Sequence, residues 1–304
     1  MGVGLPVTGD SIIVLNEQTS YPTWEFIYDP RIEQLYKNTS LFGGASSPNS
    51  SPTGLGTTPG TGADGTAEIW WARRQDAARS LAGLLDDAEQ ERWAAYRREA
   101  DRERFLVGCA LAKTVVAACT GQRPAQVSFD RACRQCGQPH GKPSVRGGGP
   151  ELSVSHSGDL VAVAVATAPV GVDVEQLDGR ARELGGGDPL TLARMVLAEE
   201  ERAALAAVDP EGRARAFLVA WTRKEAVTKA RGDGLRVPFD DVVVAADLAA
   251  PRVTAWPYPQ DPRSVSLLDL DPGPGYVAAL AVIGRCHAAS ARDGSALLAE
   301  TLLA

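Results

Sequence analysis

APVGVDVEQLD, residues 168–178, places two carboxylates inside a run of valine and glycine that is typical of a buried strand. On a strand, side chains two residues apart lie on the same face, so Asp173 and Glu175 share one face. Val172 and Val174 would then face the core on the other side. Two carboxylates so placed repel each other, and a divalent cation that prefers oxygen ligands, such as Mg²⁺, would relieve the repulsion. The alternative is the solvated face of an edge strand, and the pair alone does not decide between the two.

A helix with a distinctive face is predicted further along the chain, in AWTRKEAVTKARGDGL, residues 220–235. By the i, i+3, i+4 rule, one face of this helix would carry Trp221, Lys224, Glu225, Thr228 and Lys229. Such a face suits a pyrophosphate with its metal, because Glu225 can bind the cation and the lysines can bind phosphate oxygens. The alternative is a surface helix with an ordinary Glu225–Lys229 pair, which stabilises a helix by about 0.2–0.5 kcal/mol.

A shorter stretch, SVSHSGDL (153–160), carries further candidate ligands for phosphate. It places Ser155, His156 and Ser157 at a strand end before a glycine turn, where a hydroxyl beside an imidazole can bind a phosphate monoester. The alternative is a histidine with a structural role. A hydrolase nucleophile is disfavoured, because the G-x-S-x-G pattern is missing.

The loop CRQCGQPHGKP, residues 133–143, allows two interpretations. Cys133, Cys136 and His140 are residue types that bind zinc, but a closed structural site would need a fourth ligand from elsewhere. The interpretation that we favour is a loop with reduced thiols. Lys142 is followed by a proline, so a rigid turn would hold its ammonium group as a phosphate contact.

The composition is that of a globular protein, with 44% hydrophobic and 23% charged residues in a chain of 304. A net charge of −7 argues against a nucleic-acid-binding protein, which needs clustered positive charge. No apolar run is long enough to span a bilayer, and the N-terminus lacks the pattern of a secretory signal. Five scattered cysteines do not suggest a disulfide framework. We therefore expect a cytoplasmic protein without nucleic-acid or membrane partners.

The chain divides into segments of different composition. Residues 1–42 are interpreted as an accessory or fused segment, and the Gly/Ser/Thr/Pro-rich residues 43–66 as a flexible linker. Directly after the linker, EIWWAR predicts an edge strand. The order helix, strands, helices, strands then predicts an α+β fold of two similar halves. We place these halves at 67–168 and 169–286, followed by a C-terminal tail at 287–304.

Taken in order, GKP, LSVSHSG, GVDVE and WTRKEAVTK resemble the signature series of the surfactin-type (Sfp-type) 4′-phosphopantetheinyl transferases. The family pattern G-[IV]-D-[IV]-E is matched throughout by residues 171–175, and W-[ST]-x-K-E-[AS]-x-x-K by residues 221–229. The resemblance covers residues 68–284 and not the segment before them. It implies two pseudo-symmetric α+β halves with the active site, where coenzyme A binds, in the cleft between them.

The resemblance also implies a reaction. Such an enzyme moves 4′-phosphopantetheine from coenzyme A to a serine of an apo acyl or peptidyl carrier protein, with Mg²⁺, and releases 3′,5′-ADP. This modification activates polyketide, fatty-acid or nonribosomal-peptide synthases, as in secondary metabolism and antibiotic biosynthesis. Phosphoryl transfer depends mainly on positioning and charge neutralisation, so carboxylates, a metal and lysines are a sufficient set of groups.

Residue by residue, the resemblance assigns the metal ligands Asp173, Glu175 and Glu225. Glu225, or a water on the metal, would help to deprotonate the incoming serine. Lys229 would stabilise charge on the bridging and leaving oxygens. The further contacts to coenzyme A would come from Arg104, Lys142, Ser155, His156 and Lys224. Of these, Ser155 and His156 would lie at the 3′-phosphate.

Two alternatives belong to other classes of protein. A catalytically silent relative would bind coenzyme A or a carrier protein as an adaptor, although all three carboxylates and the adjacent lysine are present. A zinc-ribbon interaction module would be built on Cys133 and Cys136. Because the implied site needs no second chain, we expect a monomer.

Overall fold

The computed structural model describes residues 65–133, 137, 141–177, 189–233, 237–245 and 250–303. The accessory segment that we predicted at 1–42 lies outside these residues, as does nearly all of the linker at 43–66. The described residues form a mixed α+β fold, which confirms the predicted fold class. Among them, no helix has the length and apolar character needed to cross a membrane.

The first half of the described chain has two helices between its first and second strands. Its strands are β1 (Thr66–Arg73), β2 (Phe129–Asp130), β3 (Ser144–Val145), β4 (Glu151–Ser157) and β5 (Leu160–Ala166), and its helices are α1 (Asp87–Ala95) and α2 (Glu99–Thr120). Helix α1 begins after Asp86, whose carboxylate accepts a hydrogen bond from the backbone N–H of Glu89. Helix α2 ends at Gly121, whose φ of 71° is a conformation that glycine adopts without steric cost.

The second half follows the same order with three helices. Its strands are β6 (Val170–Gln176), β7 (Val243–Val244), β8 (Val253–Ala255), β9 (Val265–Leu270) and β10 (Tyr276–Ile283), and its helices are α3 (Pro189–Val196), α4 (Glu199–Ala207) and α5 (Pro210–Arg231). Helix α5 begins with a proline, whose missing N–H is not needed in a first turn. Like α2, it ends at a left-handed glycine, Gly232.

The two halves share one topology. The sheet order is β1-β5-β4 in the first half and β6-β10-β9 in the second, and these pairings are antiparallel. Each half also has a long helix, α2 or α5, after its first strand, and a small two-stranded sheet after that helix. The prediction of two similar α+β halves is therefore confirmed, while the boundaries given to them stay predictions.

The C-terminal residues extend the first sheet. Strand β11 (Ala288–Asp293) pairs in parallel with β1, and helix α6 (Gly294–Leu303) follows it. Our prediction that EIWWAR is an edge strand is therefore wrong, because β1 lies between β11 and β5. The segment that we named a C-terminal tail contains this strand and this helix, and its Leu298 is buried in the core of the first half.

The core between the two sheets joins the halves. Ile69 and Leu160 of the first half belong to one buried cluster with Val172 and Leu280 of the second. Beside this cluster, β4 and β6 are edge strands of separate sheets that lie next to each other. The GVDVE motif on β6 therefore lies at the seam between the two halves.

Candidate active site

Strand β6 buries both carboxylates of the GVDVE motif. Asp173 is 1% exposed and Glu175 is 3% exposed, so the alternative of a solvated edge is excluded. On the opposite face, Val172 and Val174 lie in the core between the sheets, as predicted. Buried carboxylates require compensating partners, because an isolated charge in a protein interior is costly.

Helix α5 crosses β6 at the glycine of the motif. A Cβ atom at Gly171 would lie 2.0 Å from the carbonyl oxygen of Ala226 and 2.4 Å from the backbone nitrogen of Ala230. Glycine therefore lets the helix backbone approach the strand more closely than a residue with a side chain would allow. This approach brings the side chain of Lys229 to Asp173 on β6.

The resulting cluster joins Asp173, Lys229 and Ser155. Lys229 donates hydrogen bonds from Nζ to Asp173 Oδ1 over 2.7 Å and to Ser155 Oγ over 3.1 Å. Ser155 Oγ donates to the same Asp173 Oδ1 over 2.9 Å. Asp173 Oδ2 is buried and accepts no hydrogen bond from the part of the chain that the structure describes. One oxygen of this carboxylate is thus compensated by a cation, while the other can still bind a ligand.

Two further buried carboxylates lie on the same strand and the same helix as Asp173 and Lys229. Glu175 Oε2 accepts a hydrogen bond of 2.9 Å from Ser157 Oγ. Glu225 is 4% exposed and lies about one turn before Lys229 on α5. The carboxylates that we predicted as metal ligands are therefore all buried on the two elements that meet at Gly171.

The donor set fits a divalent cation in its chemistry. Carboxylate oxygens are the ligands that Mg²⁺ prefers, and such an ion would satisfy the buried Asp173 Oδ2. Within the described residues, however, no three His, Cys, Asp or Glu side chains already converge on one metal position. The ammonium group of Lys229 balances Asp173 instead, so a metal ion at Asp173 would compete with this ion pair.

Lys224 points away from this cluster. Its Nζ lies 2.6 Å from Glu201 Oε2 and donates hydrogen bonds of 2.7 Å to the carbonyl oxygens of Phe239 and Val242. The side chain is fully buried, and burial lowers the pKa of its ammonium group, although Glu201 opposes that shift. The structure thus does not bring Lys224 to Asp173, and its predicted contact to coenzyme A finds no support in this geometry.

Arg104 is held by the protein itself. Its guanidinium pairs with Asp101 and donates a hydrogen bond of 2.7 Å to the carbonyl oxygen of Gly158. The side chain is only 3% exposed. Because Gly158 follows β4 directly, Arg104 stabilises the turn at the end of that strand, and its contact to coenzyme A stays a prediction.

Lys142 and His156 are the remaining residues that we predicted as contacts to coenzyme A. Lys142 Nζ donates to Glu151 Oε2 over 2.7 Å and to the carbonyl oxygen of Ala230 over 3.0 Å, so it is held at the C-terminal end of α5. His156 is half-buried and, because side chains alternate along β4, it lies on the face opposite Ser155. The contacts of Ser155, His156 and Lys142 to coenzyme A stay predictions.

The zinc interpretation concerns a loop that is described only in part. Cys133 is a buried thiol, whereas Cys136 and His140 lie outside the described residues. Zinc at this loop stays a hypothesis.

Sequence reasoning missed one partner of the site, Ser157, and the partner of Lys224, which is Glu201. Ser157 binds Glu175, and the signal was present, because the serines of SVSHS alternate with the same period of two as the carboxylates that they face. Glu201 binds Lys224, but it stands in a run of three glutamates that look equally exposed in the sequence. Its burial depends on how α4 packs against α5.

Comparison with known proteins connects this geometry to a family. A model described as 4′-phosphopantetheinyl transferase, N-terminal, matches residues 69–168. The model of the 4′-phosphopantetheinyl transferase superfamily matches residues 169–281. Both matched families are transferases, so the chain is an enzyme of the transferase class. The chain belongs to the 4′-phosphopantetheinyl transferase superfamily, which confirms the resemblance drawn from the four motifs.

Several curated proteins are similar over most of their length. The 4′-phosphopantetheinyl transferase HetI of Nostoc sp. is 30% identical over 211 residues, covering 68% of this chain and 81% of that protein. The 4′-phosphopantetheinyl transferase Sfp of Bacillus subtilis is 24% identical over 205 residues, covering 66% of this chain and 83% of Sfp. The crystal structure of Thermotoga maritima holo-[acyl-carrier-protein] synthase matches 39% of this chain and 64% of its own, with 23% identity and a TM-score of 0.29. The family assignment does not depend on that structure.

Proposed function

We propose that this protein transfers the 4′-phosphopantetheine group of coenzyme A to a serine of apo acyl or peptidyl carrier proteins. The observation that carries the proposal is the buried cluster of Asp173, Lys229 and Ser155 in a chain of this superfamily. The serine oxygen would form a bond to the phosphorus next to the pantetheine. The bond from that phosphorus to the bridging oxygen would break, and 3′,5′-ADP would leave. The serine proton would pass to a carboxylate base, for which Glu225 is our candidate.

Each charged group of the cluster has a part in this proposal. Asp173, Glu175 and Glu225 would hold Mg²⁺, which, when bound, neutralises the pyrophosphate of coenzyme A. Lys229 is the least buried charged side chain of the cluster, 15% exposed, so its ammonium group can turn from Asp173 to the oxygens of the substrate. Positioning and charge neutralisation are the main sources of catalysis in phosphoryl transfer, and these residues supply both.

We also propose that a monomer carries this site, with halves at 67–168 and 169–286 after the accessory segment and linker. Strand β11 and helix α6, which follow residue 286, complete the first half. The two family models meet between residues 168 and 169. Ser155 comes from the first half, and Asp173 and Lys229 come from the second. One chain therefore supplies the whole cluster.

Transfer is tested by incubating the full chain with an apo carrier protein, coenzyme A and Mg²⁺ and recording the intact mass of the carrier. We expect the mass to rise by one phosphopantetheine group, and the gain to stop when EDTA removes the divalent cation. No gain on several acyl and peptidyl carriers would contradict the proposed function. Binding of coenzyme A without any transfer would instead identify the adaptor alternative.

The role of Glu225 is tested by Glu225→Gln, which keeps the size of the side chain and removes its charge. We expect turnover in the mass assay to fall by about 100-fold or more, because a metal ligand and candidate base is lost while the fold is retained. Glu211→Gln, on the exposed first turn of the same helix, is the matched control and should keep full activity. Turnover close to that of the wild type in Glu225→Gln would refute the assignment.

A further inference from the structure

Three alternate serines of β4 bind the neighbouring strand β6 through their side chains. The backbone N–H groups of Val172 and Gln176 donate to Ser153 Oγ and Ser157 Oγ, respectively, each over 3.1 Å. Between them, the N–H of Val174 donates to Ser155 Oγ over 3.3 Å. We name Ser153, Ser155 and Ser157 the serine row.

The serine row replaces a backbone ladder at the seam. Strands β4 and β6 belong to separate sheets, so the outward N–H groups along the edge of β6 need acceptors from elsewhere. Each serine accepts one of them, and its hydroxyl proton is then left to point at another acceptor. Two members of the row direct that proton at a carboxylate: Ser155 at Asp173 Oδ1 and Ser157 at Glu175 Oε2, each over 2.9 Å.

The first member of the row differs in one respect. Each serine accepts from the N–H of one β6 residue and faces the side chain of the residue before it. For Ser155 and Ser157 that side chain is a carboxylate, but for Ser153 it is missing, because the residue is Gly171. Ser153 therefore makes the seam contact without any contact to a metal ligand.

From this arrangement we infer that Ser155 and Ser157 are positioning residues of the transferase. Their hydroxyls donate to Asp173 and Glu175 and fix the orientation of the carboxylates that we propose as ligands of the cation. The inference rests on the proposed function, since it concerns the same cation. Ser157 is the better residue for a test of this role. A change at Ser155 would also remove its hydrogen bond with Lys229.

The test compares Ser157→Ala with Ser153→Ala in the full chain. Both substitutions remove one seam contact, but only the first removes a donor from a carboxylate. Binding of Mn²⁺ in place of Mg²⁺ is measured by electron paramagnetic resonance, and the dependence of transfer rate on Mg²⁺ is measured beside it. We expect Ser157→Ala to weaken Mn²⁺ binding by about 10- to 100-fold, Ser153→Ala to bind as the wild type does, and Ser157→Thr to restore binding.

Equal Mn²⁺ binding in Ser157→Ala and the wild type would overturn the inference while leaving the proposed function intact. An equal loss in Ser153→Ala would also overturn it, because the effect would then belong to the seam alone. A wild-type chain that binds no Mn²⁺ would contradict the proposed metal site and this inference with it. If Ser157→Ala does not fold, Ser157→Cys gives the same comparison, because a thiol of similar size is only a weak donor.

Discussion

Gly171 is the point at which α5 rests on β6, and no side chain fits between the two backbones. The sequence showed this glycine only as one letter of a motif. A glycine is required at this position because the backbone of Ala226 and Ala230 approaches closely. That approach depends on where a helix distant in sequence packs. Contacts of that kind cannot be read from local patterns.

We expect Gly171→Ala to displace α5 from β6, because the added methyl group would overlap backbone atoms that cannot rotate away. Overpacking a core costs about 1–3 kcal/mol, and we expect at least this loss in the free energy of unfolding, with a marked loss of transfer. Urea denaturation and the mass assay measure the two effects. Gly83→Ala is the control, because nothing lies within 4 Å of its added Cβ atom. Wild-type behaviour of Gly171→Ala would show that the close approach is not required.

The carboxylates themselves were predictable to a limited extent. The period of two placed Asp173 and Glu175 on one face and the valines on the other, and the structure confirms this. The compensating partners were not predictable in the same way, since Ser155 and Lys229 come from other elements. Local spacing determines which face a residue occupies, and tertiary packing determines what it meets there.

At the scale of the element, α5 separates two lysines that the sequence analysis had placed on one face. Lys224 and Lys229 are five residues apart, which turns a helix by roughly 140° beyond a full turn at 3.6 residues per turn. Lys229 accordingly reaches Asp173, while Lys224 reaches Glu201 on α4. The helix face that we predicted was therefore too wide, because it included both lysines.

We expect Lys224→Met to destabilise the protein, because it leaves Glu201 buried without its cation. Breaking a buried ion pair from one side costs about 3–5 kcal/mol, and thermal unfolding measures this loss. The KM for coenzyme A of the folded protein should stay unchanged. The double variant Lys224→Met/Glu201→Gln should recover part of the stability. A raised KM for coenzyme A without loss of stability would instead support the predicted contact of Lys224 to coenzyme A.

At the scale of the whole molecule, strand β11 and helix α6 belong to the first half, although they follow the second half in sequence. The sequence did not predict β11, because most of its residues are exposed and carry no apolar alternation. It lies at the edge of its sheet, where one side of the strand has no neighbour among the described residues. The two halves were predictable from motif order and element order, whereas this return of the chain to β1 was not.

We expect Leu298→Ala to lower the free energy of unfolding by about 2–5 kcal/mol, the usual cost of truncating a buried leucine. Leu298 is 1% exposed in the core around α2. Leu303→Ala on the same helix is the matched control, because its side chain is 89% exposed and should contribute little. Urea denaturation of both variants measures the difference. Equal stability of the two variants would show that α6 does not contribute to the first core.

The parallel pairing of β11 with β1 also has a consequence for biosynthesis. Thr66 pairs with Ala288, so the first strand of the described fold has its second neighbour only after the whole second half of the fold has been translated. Until then, one edge of β1 offers uncovered backbone groups to other nascent chains. Pairings between distant segments also form slowly. After β5 has emerged and until β11 follows, this edge of β1 is therefore a site at which a partly folded chain can aggregate.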